Sequence, residues 1–237
     1  MSKTAVVTGT SSGIGFAVTR KLLKDGYTVY GFGRTVSGDT FSESGWNPVP
    51  CDLLDSGQLQ ESCSGVLDQT GNRLDVLVLS AGMARFGPHE THQQEEITEM
   101  ADLNFKAPLL LINRFLRAVR DSQGHIIGIG SVSGKINSPQ GGVYAATKAG
   151  MHHFLKLLFD ETRKSGVKIT EIVADLTRTP FYDNLNFEPE SNPEAHLDPE
   201  DVAESVMYAV NHPQGVVTEI ELRPQKLQVR KKNTKSG

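Results

Sequence analysis

Apolar positions along the chain alternate between two rhythms. Short β-rich runs occur at Ala5-Val6-Val7, Thr28–Phe32, Leu74–Leu79, Gly124–Gly130, Val167–Val173 and Val216–Leu222. Leu74–Leu79 is almost continuously apolar, as expected of a parallel strand buried on both faces. Between these runs the apolar residues recur at helical spacing. Ala17, Val18, Leu22 and Leu23 mark a first helix, and residues 56–69 a second. A longer pattern over 93–120 includes Ile97, Met100, Leu103, Phe115 and Val119, with a kink expected at Pro108. Further helices are predicted over 143–164 and after Asp198-Pro199, an N-cap followed by proline in the first turn. Strands alternating with helices predict an α/β fold with a doubly wound parallel sheet, in one domain spanning residues 1–225.

The segments outside this rhythm carry their own expectations. Residues 35–50, rich in Ser, Gly and Pro, read as a surface connection with a short strand near Val49. Residues 177–198 hold three prolines and few apolar residues, the pattern of a lid or binding loop. Residues 226–237 form a basic tail around Arg230-Lys231-Lys232, expected to be solvated and disordered.

Composition narrows the function classes. The chain has 237 residues and a net charge of −4. It lacks the basic surplus of a nucleic-acid binder. No apolar run approaches the ~18 residues that span a bilayer, so no membrane partner is expected. The first strand begins within a few residues of Met1, leaving no room for a signal peptide. Cys51 and Cys63 show no metal or redox spacing and suit a reduced, cytoplasmic protein. His152 and His153 are adjacent on a predicted helix and diverge, so no metal site is expected.

Candidate chemistry lies at strand ends. Gly9, Gly13 and Gly15 form a G-x-x-x-G-x-G turn between the first strand and the first helix. Such a turn lets backbone approach a ligand, and the following helix points free N–H groups at phosphate. The second strand ends in Gly33-Arg34-Thr35. With no carboxylate there and a guanidinium present, NADP(H) is favoured over NAD(H). Ser80-Ala81-Gly82 ends the strand at Leu74–Leu79, where open parallel sheets bind ligands. Tyr144 and Lys148 are four apart and share a helix face, so the cation is expected to lower the phenol's pKa and make it a general acid. Ser131, at the end of the preceding strand, is set to donate to a carbonyl oxygen.

These motifs, in this order, resemble the short-chain dehydrogenases/reductases of the compact, Rossmann-fold kind. The resemblance rests on T-G-T-S-S-G-I-G at Thr8–Gly15, D-V-L-V at Asp75–Val78, S-A-G at Ser80–Gly82, Asn104, Ser131 and Y-A-A-T-K at Tyr144–Lys148, and it covers Thr4 to about Pro224. It implies an NADP(H)-dependent oxidoreductase that interconverts a small carbonyl compound and its alcohol. Tyr144 would be the acid or base, Lys148 would tune it and bind the nicotinamide ribose, Ser131 would orient the substrate oxygen, and Asn104 would hold a relay water. Gly9, Thr10, Ser12, Gly13, Ile14 and Gly15 would cradle the cofactor, with Arg34 and Thr35 at the ribose phosphate. Asp52 and Leu53 would meet the adenine; Ser80, Ala81, Gly82, Asp175, Thr177 and Thr179 would complete the site.

The chain departs from the family pattern at three points. Ser80 stands for an asparagine, Ala174-Asp175 for Pro-Gly, and Thr177 for a Val or Ile. A carboxylate at Asp175 is unusual near a nicotinamide. It keeps alive a second reading, a catalytically weak NADP(H)-binding regulatory protein. A sugar-nucleotide epimerase is disfavoured, since only about 60 residues follow the sixth strand. Arg85 or Arg178 is a candidate for a substrate carboxylate. Family habit suggests a homodimer or homotetramer built on the helices over 97–120 and 143–164.

Overall fold

The computed structural model describes residues 2–232. In chain order the strands and α-helices are β1 (Thr4–Thr8), α1 (Gly13–Lys24), β2 (Thr28–Gly33), β3 (Trp46–Pro50), α2 (Ser56–Gln69), β4 (Val76–Leu79), α3 (Gln94–Ala101), α4 (Ala107–Asp121), β5 (His125–Ser131), α5 (Gly142–Thr162), β6 (Lys168–Ala174), β7 (Phe187–Pro189), α6 (Pro199–Val210), β8 (Glu219–Leu222) and β9 (Val229–Lys231). Seven strands pair in parallel in the order β3-β2-β1-β4-β5-β6-β8, the doubly wound α/β sheet that the alternation predicts. Val6 of β1 lies between Tyr30 of β2 and Leu77 of β4. Strand order runs outward in opposite directions from β1 and β4. A crevice opens at their carboxyl ends, the topological switch point where such sheets bind ligands.

Helices cover both faces. Ala17, Val18 and Leu22 of α1 pack with Val202, Ala203 and Val206 of α6 on one side. Ion pairs from Arg20 to Glu200 and Lys21 to Glu204 tie these two helices at the surface. On the other side Leu59 and Cys63 of α2, Leu111 and Phe115 of α4, and Leu155 of α5 share a core with Leu77 and Ile126 of the sheet. Both cysteines are free and buried, and burial pushes the Cys63 thiol up to about 12. Among the described residues no helix is long and apolar enough to cross a membrane.

Two segments differ from expectation and a third fills one in. The helical run over 93–120 is broken by a π-helical turn at Asp102–Lys106. Pro108 has no N–H to give the carbonyl four residues back, that of Asn104, so regular α geometry fails one turn earlier than a kink at the proline. In 35–50 the short strand expected near Val49 is present as the edge strand Trp46–Pro50. Trp46 is anchored over Gly31, where a Cβ would come within 2.1 Å of the indole, and it packs edge-on against Phe41. The expected disordered tail is ordered as far as it is described. β9 pairs antiparallel with β7, Arg230 bridges to Glu188, and the Lys232 ammonium donates to the Tyr182 carbonyl. Residues 233–237 lie outside the described residues. The same pairing gives 177–198 a scaffold that its composition does not reveal.

Candidate active site

The turn after β1 is shaped by what its glycines touch. Gly9 has φ +73°, and a Cβ on it would come within 3.0 Å of the Ala81 Cα. Gly15 lies under the same turn, where a Cβ would come within 2.3 Å of the Gly9 carbonyl oxygen. Only backbone fits at this crossing of β1, α1 and the end of β4. Ser12 caps α1 by position, yet its side chain makes no capping bond, so the first N–H groups of the helix remain available at the cleft. Thr8 Oγ1 accepts from both the Ser80 and the Ala81 N–H at 3.0 Å. Those two hydrogen bonds brace the β4 end where Ser80 replaces the family's asparagine.

A cleft of about 650 Å³ follows the carboxyl ends of the strands. It brings together Gly9, Ser12, Gly13, Ile14 and Gly15 with Arg34, Asp52, Leu53, Ser80, Ala81 and Gly82, and with Ser131, Tyr144, Lys148, Asp175, Thr177 and Thr179. Arg34 is exposed at the end of β2. A Cβ at Gly33 beside it would meet Val36 at 2.9 Å, which disfavours any larger side chain there. The Asp52 carboxylate accepts from the Leu54 N–H at 3.0 Å.

Three expected residues do not line the cleft. Thr10 is fully buried, and its Oγ1 turns toward Gly31 without a hydrogen-bond partner. Thr35 is exposed beyond the cleft rim. Asn104 sits behind it, in the π-helical turn. Its amide holds the backbone of Met83 from both sides, accepting from the N–H at 2.9 Å and donating to the carbonyl at 2.8 Å. It also donates to Thr147 Oγ1, which donates to the Tyr144 carbonyl. Asn104 thus ties the β4 end to α5. It also borders a cavity of about 20 Å³ shared with Lys148 and Glu171, large enough for one water.

Ser131 ends β5, and its hydroxyl accepts from the Ser133 N–H at 3.2 Å. Tyr144 and Lys148 lie one turn apart near the start of α5, facing Ser131 across the cleft. The expected lowering of the Tyr144 pKa is not what this geometry produces. Burial pushes the phenol above its ordinary value, and the Ser131 hydroxyl acts only partly against this. The Lys148 ammonium is 5.8 Å from the Tyr144 ring centroid and donates to the Ile129 carbonyl at 2.9 Å. Burial brings Lys148 itself down to about 8, with the Glu171 carboxylate acting upward.

Two charged partners escaped the sequence reading. The Asp175 side chain is largely buried and paired with Arg223 at 2.9 Å, while its other oxygen accepts from the Leu176 N–H. Its charge is therefore compensated before any ligand is considered. Glu171 of β6 reaches over Gly130, where a Cβ would come within 2.2 Å of its carboxylate, and hydrogen-bonds to His152. His152, read in the sequence only as diverging from His153, has its ring between Glu171 and Glu219, with Lys135 bridging Glu219 and Glu221. Only the parallel register of β6 and β8, which sets Glu171 beside Glu219, brings these groups together.

Comparison with known proteins decides the family. The model for short chain dehydrogenases matches residues 3–190. The chain belongs to the short chain dehydrogenase family. An uncharacterized oxidoreductase of Staphylococcus aureus is 33% identical over 229 residues, which cover 94% of this chain and 97% of that protein. Among solved structures, an alcohol dehydrogenase from the archaeon Thermococcus sibiricus, complexed with 5-hydroxy-NADP, has a TM-score of 0.84 at 26% identity, covering 96% of this chain and 98% of its own. A metagenomic short-chain oxidoreductase in complex with NADP has a TM-score of 0.79 at 31% identity, covering 94% and 97%.

Proposed function

We propose that this short chain dehydrogenase interconverts a carbonyl compound and its alcohol, with NADP(H) as the cofactor. One observation carries the reading. The glycine turn, Ser131 and the Tyr144–Lys148 pair come from three separate stretches and line a single cleft.

The residues present fit a dinucleotide. Backbone replaces side chain at Gly9 and Gly15, and the free N–H groups of α1 suit a pyrophosphate. Arg34, beside Gly33, suits a 2′-phosphate, with Thr35 as its neighbour outside the cleft. Asp52 and Leu53 would flank the adenine, and Thr177 and Thr179 the nicotinamide end. The two NADP-type complexes among the similar structures support the same choice over NAD(H). When bound, the cofactor supplies or accepts a hydride.

The chain's own part is protons and alignment. Ser131 donates to the substrate oxygen and orients it. Tyr144 gives that oxygen a proton during reduction and takes it back during oxidation. Its raised pKa favours the protonated, acid form in the unliganded protein. Lys148, with a pKa near 8, exchanges charge close to neutrality and hands protons toward the small cavity beside Asn104 and Glu171. The regulatory alternative rested on Asp175. Its pairing with Arg223 removes that argument. We extend the proposal to a cytoplasmic protein, suited to two free buried thiols, and to a homodimer or homotetramer built on α4 and α5, where Leu157 is exposed.

Tyr144→Phe tests the chemistry. NADPH consumption with a carbonyl panel should drop by about a thousandfold or more, within the range of general acid–base catalysis, while NADPH affinity stays within about twofold. Turnover retained in the variant would remove Tyr144 from the mechanism.

A further inference from the structure

Five aromatic rings close a circuit at the reactive end of the cleft. Tyr144 packs on Phe86 and on Phe181, with centroids 5.9 and 5.8 Å away. Phe86 meets Phe187 edge-on at 5.1 Å, and Phe187 meets Tyr182 at 5.9 Å. Tyr182 meets Phe181 at 5.4 Å, which completes the ring. Each side chain contacts two others, and all five line the cleft. Tyr144 is buried, but the other four are only partly so, which leaves faces and edges for a ligand.

The circuit is held from several directions. Phe86 fits because residue 141 is glycine; a Cβ there would come within 2.6 Å of its ring. Phe181 and Tyr182 form a 3-10 turn capped by Thr179, whose hydroxyl accepts from the Phe181 N–H. Phe187 opens β7, and β9 holds it through the Phe187–Lys231 pairing. The Lys232 N–H donates to the Asn186 carbonyl at 2.9 Å, and its ammonium donates to the Tyr182 carbonyl at 2.5 Å. The C-terminal strand thus fixes the loop that carries three of the five rings.

The charges nearby do not suit an acid substrate. Arg85 lines the cleft, but its Nε lies 3.5 Å from Glu96 and its guanidinium also donates to the Ala84 carbonyl. Arg178 is paired with Asp198 at 2.8 Å and does not line the cleft. Each arginine already has a carboxylate partner, and Glu99 lines the cleft as well.

We propose that the aromatic circuit is the substrate seat and that it selects a neutral, planar aryl ketone or aromatic aldehyde over an oxo acid. The inference rests on the carbonyl reduction proposed above and names its substrate class. Rings accept another ring offset-stacked or edge-on, each good pair contributing roughly two- to tenfold in affinity. A saturated ring of the same size loses that geometry, and a carboxylate is desolvated without a partner. In the reaction the carbonyl carbon gains a hydride, which oxidises NADPH to NADP⁺. The oxygen gains the Tyr144 proton, and the tyrosine is reprotonated from solvent.

The test compares acetophenone, cyclohexyl methyl ketone and acetoacetate by calorimetry on the full chain, with and without NADPH. Acetophenone should bind about fivefold or more tighter than its saturated counterpart, and acetoacetate should bind weakest. Phe187→Leu and Phe86→Leu should each bring the first ratio close to one while NADPH affinity stays unchanged. Lys232→Met, which keeps every ring and frees the loop, should narrow it. Equal or tighter binding of either competitor, no binding of acetophenone, or a ratio unaffected by both leucine variants would overturn the proposal. Acetophenone preference without NADPH binding would leave the seat standing and remove the cofactor reading instead.

Discussion

His125 is a group the fold tolerates only in one charge state. It is buried, its Nε2 shares a 2.7 Å hydrogen bond with Thr170, and its Nδ1 has no partner. Burial, aided by Lys168, pulls its pKa down to about 3. The unfolded chain takes up a proton near pH 6.5, whereas the folded protein resists protonation until about pH 3. Stability is therefore complete above about pH 6.5 and falls as the pH drops toward 3, by up to about 1.4 kcal/mol per pH unit. Urea melts at pH 7.5 and pH 5.0 should show this loss, and His125→Gln should flatten it. An equally steep loss in the variant would place the acid sensitivity elsewhere. Nothing in the sequence around His125 announced this burial beyond its place at a strand start. Tyr144, Lys148 and Ser131 were legible because local spacing and strand-end position carry them. Arg223 and Glu171 were not, because their partners Asp175 and His152 lie 48 and 19 residues away and meet only through the sheet.

The β1–α1 turn is the element on which the cleft depends most. Its glycines were legible as a phosphate turn, although the reason for each is tertiary. Gly15 is glycine because the Gly9 carbonyl lies over it, not because of its own backbone angles. Gly15→Ala should therefore displace the Gly9 carbonyl and the crossing with β4. We expect NADPH binding to weaken by at least about tenfold, with a melting temperature lower by several degrees, as for an overpacked core position. Unchanged NADPH affinity would show that the turn does not hold the cofactor. Two elements were hidden from pattern reading. A π-helical turn adds a residue without breaking the apolar stripe, so only the family resemblance, and not the pattern over 93–120, singled out Asn104. The β7–β9 pair joins segments about 40 residues apart, each too short and polar to read as a strand alone.

At the scale of the whole molecule, the order of the strands does what no single motif does. β1 and β4 diverge at the switch point, β5 and α5 bring Ser131 and Tyr144 to the same rim, and the C-terminal segment returns to brace the loop over them. The alternation of strand and helix made the sheet legible, since parallel strands buried on both faces are written as apolar runs. The substrate side stayed unreadable because its rings come from three stretches, the segment after β4, α5 and the segment over 177–198, brought together only by folding. The cofactor remains the central claim, and calorimetry with NADPH and NADH side by side, on the wild type and on Arg34→Ala, tests it most directly. NADPH should bind about tenfold or more tightly than NADH, and Arg34→Ala should erase that preference by weakening NADPH alone, as expected for loss of a charge-assisted phosphate contact. Equal affinities for the two cofactors, equal losses in the variant, or binding of neither would contradict the account.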